Sequence, residues 1–160
     1  MMKIIAVFPG SFDPITRGHE SVIKRALPLF DEVYIAVGVN AEKKSFFDLN
    51  LRIEWIRKVF IDFPQVRVIQ YEGLTVDLCR KLGAQYLLRG LRTSADFEFE
   101  RSIGQINKKL YPDIETVFFL TAPEYTMLNS SIVRDILRNG GDASQFVPVE
   151  LDLTPYIGRK

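Results

Sequence analysis

The sequence predicts a doubly wound α/β fold, in which helices cover both faces of one five-stranded parallel sheet. Two observations predict it. Five short apolar runs, rich in Val, Ile, Phe and Tyr, are typical of buried strands. The segments between them carry apolar residues at helical spacing, so strands and helices alternate along the chain. At 160 residues, the chain is expected to form a single domain, 1–160, in which 145–160 is a short C-terminal segment.

The strands are predicted from apolar content and from the turn residues that follow each run. Pro9 and Gly10 close the first run, because neither favours a continuing strand. The predicted strands span 3–8, 32–38, 66–71, 86–89 and 116–120. In a sheet of this kind, ligands bind beyond the carboxyl ends of the strands, where the strand order reverses. The loops that follow the strands are therefore the expected position of a binding site.

Apolar stripes and end signals predict five helices. Asp48 is a plausible N-cap of the second helix, Gly83 ends the third, and Pro112 ends the fourth. The fourth helix is lined by Phe99, Ile103, Ile106 and Leu110. The stripes place the helices at about 22–30, 49–60, 74–82, 99–110 and 130–138. Helices between consecutive parallel strands imply right-handed crossovers.

Composition and charge disfavour several classes of protein. Hydrophobic residues make up 47% of the chain and charged residues 26%, as in an ordinary globular protein. The formal net charge of +1 disfavours a nucleic acid as the main partner, because duplex binding neutralises many phosphates. The single cysteine, Cys79, can form neither an intramolecular disulfide nor a cysteine-based zinc site, which favours a reducing compartment. The apolar run after Lys3 is too short for a signal peptide or a membrane span, so we expect a cytoplasmic protein without a membrane partner.

The strongest functional signal is the loop after the first predicted strand, residues 8–19. Its glycines, prolines and hydroxyl residues favour a tight turn whose backbone amides can face a phosphate at a helix N-terminus. His19, the only histidine, begins that helix and can donate a hydrogen bond to the phosphate, and Gly18 lets a ligand approach the backbone. A structural role for a lone histidine beside a turn is the alternative. The loop is neither the three-glycine dinucleotide fingerprint nor a P-loop.

The stretch Thr16-Arg17-Gly18-His19 resembles the hallmark of the nucleotidyltransferase superfamily, in which a Thr or His, any residue, Gly and His stand at this position. The resemblance implies a Rossmann-like nucleotidyltransferase fold. It also implies that His19 takes part in catalysis, by stabilising charge on the transferring phosphate.

A second motif, Leu88-Arg89-Gly90-Leu91-Arg92, follows the fourth predicted strand. Its arginines flank a glycine, and arginine is suited to bidentate contact with phosphate oxygens. A solvated charged loop is the alternative for two arginines alone. The acidic run that follows, Asp96-Phe97-Glu98-Phe99-Glu100, makes the pattern specific. Together they resemble the Arg-Gly-Leu-Arg motif of phosphopantetheine adenylyltransferases, which continues into Asp-Phe-Glu, a Tyr or Phe, and Glu.

A third motif, residues 125–134, leads from the last strand into the last helix. Hydroxyl residues at a helix start cap the backbone amides, and the same amides can bind a phosphate. Capping alone is the alternative. The stretch is similar to the segment of the same family that carries Ile-Ser-Ser-Ser, then an apolar pair and a basic residue, and contacts the ATP phosphates. Asn129 stands here in place of the first serine, and asparagine can also cap and donate.

The resemblance covers about 3–148 and implies a reaction. In this family the phosphate of 4′-phosphopantetheine attacks the α-phosphorus of ATP in line, without a covalent intermediate, and yields dephospho-coenzyme A and pyrophosphate. An anionic phosphate nucleophile needs no base, so orientation and charge stabilisation can supply the catalysis. The resemblance also implies a homohexamer, control by coenzyme A, and Mg²⁺ carried mainly by the ATP phosphates without a protein metal site.

The resemblance implies two catalytic residues, His19 and Lys43. Lys43 lies in Glu42-Lys43-Lys44, which would otherwise be a solvated surface run, and the residues alone do not favour it over Lys44. The acceptor-binding residues implied are Ser11, Lys43, Thr75 and Arg89. The ATP-binding residues implied are Ser11, Phe12, His19, Gly90, Leu91, Arg92, Glu100, Tyr125, Thr126, Met127, Leu128, Asn129, Ser130 and Ser131.

Other functions remain as alternatives. Another enzyme of the superfamily would adenylate nicotinate or nicotinamide mononucleotide, or cytidylate a phosphoalcohol, and the motif from Arg89 to Arg92 argues against it. A class I aminoacyl-tRNA synthetase shares the Gly-His element, but the chain has no room for tRNA-binding domains and no Lys-Met-Ser-Lys-Ser loop. A non-catalytic nucleotide-sensing module is disfavoured by Gly18 and His19. Because one fold hosts many functions, the residues of the site, and not the fold, must distinguish between these alternatives.

Overall fold

Five strands form one parallel sheet at the centre of the protein. The computed structural model describes residues 1–160. Its strands are β1 (Ile5–Gly10), β2 (Glu32–Gly38), β3 (Val66–Tyr71), β4 (Tyr86–Leu91) and β5 (Glu115–Leu120). Neighbouring strands pair in parallel in the order β3-β2-β1-β4-β5, so the strand order reverses between β1 and β4. The predicted doubly wound α/β fold is confirmed.

The α-helices alternate with the strands, as predicted. They are α1 (Arg17–Ala26), α2 (Leu49–Val59), α3 (Thr75–Leu82), α4 (Ser94–Leu110) and α5 (Ser130–Arg138). Two of them begin earlier than their apolar stripes, because a threonine side chain caps each. Thr16 Oγ1 accepts a hydrogen bond from the His19 backbone N–H at 3.3 Å, and Thr93 Oγ1 accepts one from the Asp96 N–H at 3.2 Å. The first helix also ends earlier than predicted, at Ala26, where a short 3₁₀ turn takes over.

One predicted end signal was wrong. Pro9 and Gly10 do not end the first strand but continue β1 along β2. The other neighbour, β4, pairs with β1 only as far as Val7. Proline has no backbone N–H, but on that side no hydrogen bond between strands requires one at Pro9. The same separation opens the sheet between β1 and β4. At the second helix, Asp48 is the N-cap residue, but its side chain makes no capping hydrogen bond.

Each face of the sheet has its own core. Ala6 and Phe8 of β1 belong to a cluster of 25 buried residues, whereas Val7, which points to the other face, belongs to a cluster of six. The larger cluster contains residues of α1, α2 and α5 together with Leu151 and Leu153. These two leucines pack the C-terminal segment onto the domain.

The apolar stripe of α4 faces away from both cores. Phe99 is 68% exposed and Ile106 is 60% exposed, and Ile103 and Leu110 are exposed as well. Glu100 is the only buried residue of this helix. The stripe therefore predicted the helix correctly, but it did not predict that the apolar face of the helix is exposed. Although α4 is the longest helix, neither it nor any other helix is long and apolar enough to cross a membrane.

Candidate active site

A cavity of about 320 Å³ opens at the carboxyl ends of β1 and β4. The strand order reverses there, which is where doubly wound sheets bind their ligands. The predicted site residues that line it are Ser11, Phe12, His19, Arg89, Gly90, Arg92, Glu100, Tyr125, Leu128, Asn129 and Ser130. The structure thus brings all three sequence motifs to one place.

His19 is held at this cavity in one tautomer. The backbone N–H of Thr16 donates to His19 Nδ1 at 3.0 Å, so Nδ1 accepts and the proton of the neutral ring lies on Nε2. Burial, with Arg89 and Arg92 nearby, lowers the pKa of His19 to about 4. The imidazole is therefore neutral at physiological pH, and its Nε2–H is the group that can donate to a ligand.

Phe12 packs against His19 from an uncommon backbone conformation. Its φ is 47°, a left-handed value that non-glycine residues seldom adopt. The buried ring meets the His19 ring edge-on, with 5.1 Å between centroids. A Cβ on Gly10 would lie 3.0 Å from the Phe12 ring, so the glycine leaves the space that this ring occupies. The Phe12 side chain therefore supports His19.

Arg89 is fixed by a carboxylate of α4. Its Nε and Nη2 donate to the two oxygens of Glu100 at 2.9 and 2.7 Å, and its Nη1 donates to the Pro9 carbonyl at 2.7 Å. The bidentate pair gives the guanidinium one orientation at the rim of the cavity. Glu100, predicted as an ATP-binding residue, is therefore a partner of Arg89 in this structure.

Arg92 is fixed in a similar way, one helical turn earlier on α4. Asp96 Oδ2 accepts from the Arg92 backbone N–H at 3.0 Å and from Arg92 Nε at 3.1 Å. Burial by itself raises the pKa of Asp96, but the hydrogen bonds from Arg92 outweigh it and lower the pKa below its usual value. Arg92 Nη1 also donates to the Leu128 carbonyl at 3.0 Å, which connects the second motif to the third.

The third motif forms the N-terminus of α5 and closes the cavity. Asn129 Oδ1 caps the helix by accepting from the Ile132 N–H at 2.8 Å. Ser130 Oγ donates to the Pro14 carbonyl at 2.8 Å, which attaches the helix start to the loop after β1. Asn129 therefore caps α5 at the position where the resembling family carries a serine.

Four predicted ATP-binding residues are not among those that line the cavity, namely Leu91, Thr126, Met127 and Ser131. Leu91 is buried, whereas Thr126 and Met127 are exposed. Ser131 is also exposed, and its Oγ accepts from Arg134 Nη2 at 3.0 Å.

Of the predicted acceptor residues, Thr75 and Lys43 stand apart from this cavity. Thr75 lines a second cavity of about 220 Å³, which shares Pro9, Gly10, Arg89 and Glu100 with the first. Its Oγ1 lies 2.9 Å from the Tyr71 hydroxyl oxygen. Lys43 is exposed, lines neither cavity and forms no ion pair, and the same holds for Lys44. The two cavities meet at Arg89, and the predicted catalytic lysine lies outside both.

Some residues that line the cavity were not predicted as site residues, among them Asp96, Val22 and Thr121. Asp96 was identified only as part of an acidic run, although its spacing of four from Glu100 places both carboxylates on one face of α4. Val22 was assigned to the core, where it is indeed buried, but it also lines the cavity beside Gly90, whose Cβ would lie 3.3 Å from it. Thr121 directly follows β5, a position at the ligand-bearing edge of the sheet that could have been recognised. No group of three or more His, Cys, Asp and Glu side chains is arranged to hold a metal ion.

Comparison with known sequences adds to this geometry. The model of the cytidylyltransferase-like family matches residues 7–136, a span that contains all three motifs. The phosphopantetheine adenylyltransferase of Flavobacterium psychrophilum is 59% identical over 143 residues, covering 89% of this chain and 94% of the relative. The protein of the same name from Cytophaga hutchinsonii is 47% identical over 150 residues, covering 94% of this chain and 100% of the relative.

Solved structures of other adenylyltransferases share the fold at much lower identity. The nicotinic acid mononucleotide adenylyltransferase of Plasmodium falciparum, complexed with NaAD, superimposes with a TM-score of 0.67 at 17% identity, covering 97% of this chain and 96% of that one. A bifunctional NMN adenylyltransferase/ADP ribose pyrophosphatase from Francisella tularensis gives a TM-score of 0.68 at 18% identity, covering 91% of this chain and 45% of that one. At such identities, the similarity shows the fold alone.

Proposed function

Because the chain belongs to the phosphopantetheine adenylyltransferases, and is therefore a nucleotidyltransferase, we propose that it transfers the adenylyl group of ATP to 4′-phosphopantetheine. The products are dephospho-coenzyme A and pyrophosphate, in coenzyme A biosynthesis. The observation that carries the proposal is that the motifs of His19 and of Arg89 to Arg92 meet in one cavity at the point where the strand order reverses. These two motifs, together with the third at residues 125–134, carry the resemblance to the family.

The transfer proceeds by direct in-line attack. The nucleophile is the phosphate of the acceptor, which is already anionic and requires no general base. The protein then has to orient two anions and stabilise charge on the transferring group. A neutral His19 suits this task, because its Nε2–H donates to a phosphate oxygen without exchanging a proton with the nucleophile.

ATP occupies the larger cavity. Arg92 and the N-terminus of α5 lie on its wall, and a helix N-terminus with free amides favours phosphate. The residues proposed to contact ATP are Ser11, Phe12, His19, Gly90, Leu91, Arg92, Glu100 and residues 125–131. Of these, Glu100 would act mainly through Arg89, to which both of its carboxylate oxygens are bonded.

The acceptor occupies the second cavity, with its phosphate at the junction with the first. Arg89 lines both cavities, so it can contact the acceptor where the two substrates meet. Thr75 lies farther along the second cavity, and Ser11 lies at the first. Lys43 is proposed to bind the acceptor phosphate from its exposed position in the loop after β2.

Mg²⁺ is proposed to accompany the triphosphate and to offset part of its charge. The carboxylates at the cavity are Asp96 and Glu100, and each is engaged by an arginine. This favours an ion held mainly by phosphate oxygens and water, with Asp96 and Glu100 serving the arginines.

We further propose that the protein acts in the cytoplasm as a homo-oligomer, a hexamer by family resemblance. Its cysteine is free and buried, as suits a reducing compartment. The exposed apolar stripe of α4 supports association, because a contiguous apolar surface of this kind marks an interaction site.

One experiment tests the reaction against its nearest rival. The protein is incubated with ATP, Mg²⁺ and either 4′-phosphopantetheine or nicotinate mononucleotide, and the products are identified by mass. We expect dephospho-coenzyme A and pyrophosphate from the first acceptor only. If a product formed from nicotinate mononucleotide but not from 4′-phosphopantetheine, the chain would instead have the activity for which its structural neighbours are named. A protein that binds ATP but releases no pyrophosphate with either acceptor would be a nucleotide sensor.

A further inference from the structure

Two loops at the ligand-bearing edge are joined by buried charges that the proposed reaction does not use. The first is the β1–α1 loop, residues 11–16, which contains Ser11 and precedes His19. The second is the β2–α2 loop, residues 39–48, whose tip carries Lys43. Between them lie Asp13 and Arg52, which are 7% and 5% exposed. Charged side chains so deeply buried require close polar partners.

Arg52 donates to both loops. Its Nη1 donates to the Ser11 carbonyl at 2.6 Å, its Nε donates to the Phe47 carbonyl at 3.0 Å, and its Nη2 donates to Ser45 Oγ at 3.1 Å. None of these bonds ends on a carboxylate. The planar guanidinium therefore acts as a spacer that sets the distance between the two loops.

Asp13 joins the same two loops from the other side. Its carboxylate oxygens accept from the backbone N–H groups of Phe46 and Phe47, at 2.9 and 2.8 Å. The Phe47 residue is thus held at its N–H by Asp13 and at its carbonyl by Arg52. Such charge-assisted bonds to backbone are stronger than neutral ones.

The position of Lys43 follows from this attachment. Asn40 Oδ1 accepts from the Glu42 N–H at 3.0 Å, and the Asn40 carbonyl accepts from the Lys43 N–H at 3.2 Å, so the tip is a hydrogen-bonded turn. Only Lys44 separates Lys43 from Ser45, where the attachment to Arg52 begins. Moving the attached end of the loop therefore moves Lys43 relative to Ser11.

We propose that Arg52 is a positioning residue for the acceptor: it holds the β2–α2 loop against the β1–α1 loop so that Lys43 faces the phosphate bound beside Ser11. The inference rests on the proposed function, since it assigns Lys43 to the acceptor phosphate. Arg52 itself touches neither substrate. Its effect should appear in acceptor use and in kcat, and should depend on Lys43.

The test replaces Arg52 by lysine, which keeps the positive charge but cannot span three acceptors. We expect kcat/KM for 4′-phosphopantetheine to fall by on the order of a hundredfold, as when a reacting group is displaced by about an ångström. The KM for ATP should change by less than about threefold, because the Arg92 and α5 side of its site is untouched. Arg57→Lys, at an exposed position of the same helix, is the matched control and should behave as the parent protein.

A second set of variants separates positioning from general destabilisation. In a Lys43→Ala background, Arg52→Lys should lower acceptor use by no more than about threefold further, since the lysine it positions is absent. Additive losses, equal losses for ATP and acceptor, or an unchanged acceptor kcat/KM in Arg52→Lys would each overturn the inference. So would a Lys43→Ala variant with normal acceptor use. Failure of the parent protein to form dephospho-coenzyme A would instead refute the proposed function.

Trp55, the only tryptophan, gives a readout that does not depend on activity. Its ring lies 4.9 Å from that of Phe47, so its fluorescence reports the attached end of the loop. Arg52→Lys should shift the emission to longer wavelength, whereas Lys43→Ala should leave it unchanged. If Arg52→Lys does not fold, Ser45→Ala removes only the Nη2 contact and should give the same changes to a smaller degree. Unaltered emission and kinetics in Ser45→Ala, with Arg52→Lys unfolded, would overturn the inference.

Discussion

At the scale of single residues, the cavity is nearly balanced in charge. Arg89 is paired with Glu100 and Arg92 with Asp96, while His19 is neutral. These pairs orient their donors but offer little net positive charge to two polyanionic substrates. Lys43 has no carboxylate partner and is the cation that the proposed mechanism adds when the acceptor binds. In the proposed mechanism, the paired arginines therefore orient the substrates, whereas Lys43 compensates their negative charge.

His19→Ala should fold normally and lose turnover by on the order of a hundredfold or more, as when one preorganised oxyanion donor is removed. The loss should lie in kcat, because the donor acts on charge that develops during transfer. Steady-state kinetics with both substrates saturating measure it. An unchanged kcat would remove His19 from the mechanism.

The neutral state of His19 can be measured directly, because it is the only histidine. Its pKa of about 4 lies below the usual 6.5, so the folded protein should keep the ring uncharged as pH falls from 8 to well below 6. The unfolded chain takes up its proton near 6.5, so this residue makes the free energy of unfolding decrease as pH falls from there towards 4. Proton NMR of the single imidazole across this range tests the sign, and a titration midpoint near 6.5 would contradict it.

Lys43→Ala should impair use of 4′-phosphopantetheine far more than ATP binding, while Lys44→Ala should change little. A compact ammonium can offset the repulsion between the acceptor phosphate and the triphosphate, so kcat should fall together with acceptor affinity. Kinetics of both variants, with each substrate varied in turn, decide between them. Equal small effects would make residues 42–44 a charged surface turn only.

At the scale of elements, the same helix that presents an apolar stripe to solvent also fixes the site. Asp96 and Glu100 lie on the face of α4 that meets the end of β4, and each receives an arginine from that strand or the residue after it. A spacing of four residues makes this possible, since it returns the side chain to the same face. The helix is thus a support for the second motif.

Asp96→Asn should raise the KM for ATP by roughly tenfold. The substitution removes the negative charge of the side chain that holds Arg92, so the hydrogen bonds between the two residues are weakened. The fold should be unaffected, since Asp96 is only half-buried at the helix start. Glu98→Gln, an exposed position on the same helix, is the control. Kinetics with ATP varied, beside circular dichroism of each variant, test this, and a loss of helix content in Asp96→Asn would assign the residue to folding instead.

The elements also mark the limit of what the sequence predicts. The runs at 32–38 and 66–71 were assigned with the observed bounds, because apolar residues there are enclosed by clear turns. The extension of β1 through Pro9 was not predictable locally, since it depends on where β4 stops pairing. Periodicity revealed that α4 has an apolar face but not what covers it. The Arg52 attachment was invisible as well, because it joins residues that are 41 apart in sequence.

At the scale of the whole molecule, α4 leaves several large apolar side chains exposed on one stripe. A monomer that leaves Phe99, Ile106 and Leu110 in water forgoes the stabilisation that burying them would bring. On a neighbouring face of the same helix, Glu100 holds Arg89 at the site. Association through the stripe would therefore bury apolar surface and also immobilise the helix that fixes Arg89 and Arg92.

Ile106→Asp should lower the oligomeric state, because a charge in the centre of the stripe cannot be buried without a partner. The variant should keep its fold, since Ile106 is 60% exposed and contributes little to either core. Ile61→Asp, at an exposed apolar position outside α4, is the matched control and should leave the assembly intact. Light scattering after size-exclusion chromatography gives the masses. A parent protein that elutes as a monomer, or an Ile106→Asp variant with the parent mass, would show that the stripe does not join copies of this chain.

If the mass falls, the KM for ATP of the dissociated variant becomes informative. An increase would mean that the interface helps hold α4 in place. An unchanged KM would mean that Asp96 and Glu100 hold their arginines without help from a neighbouring copy.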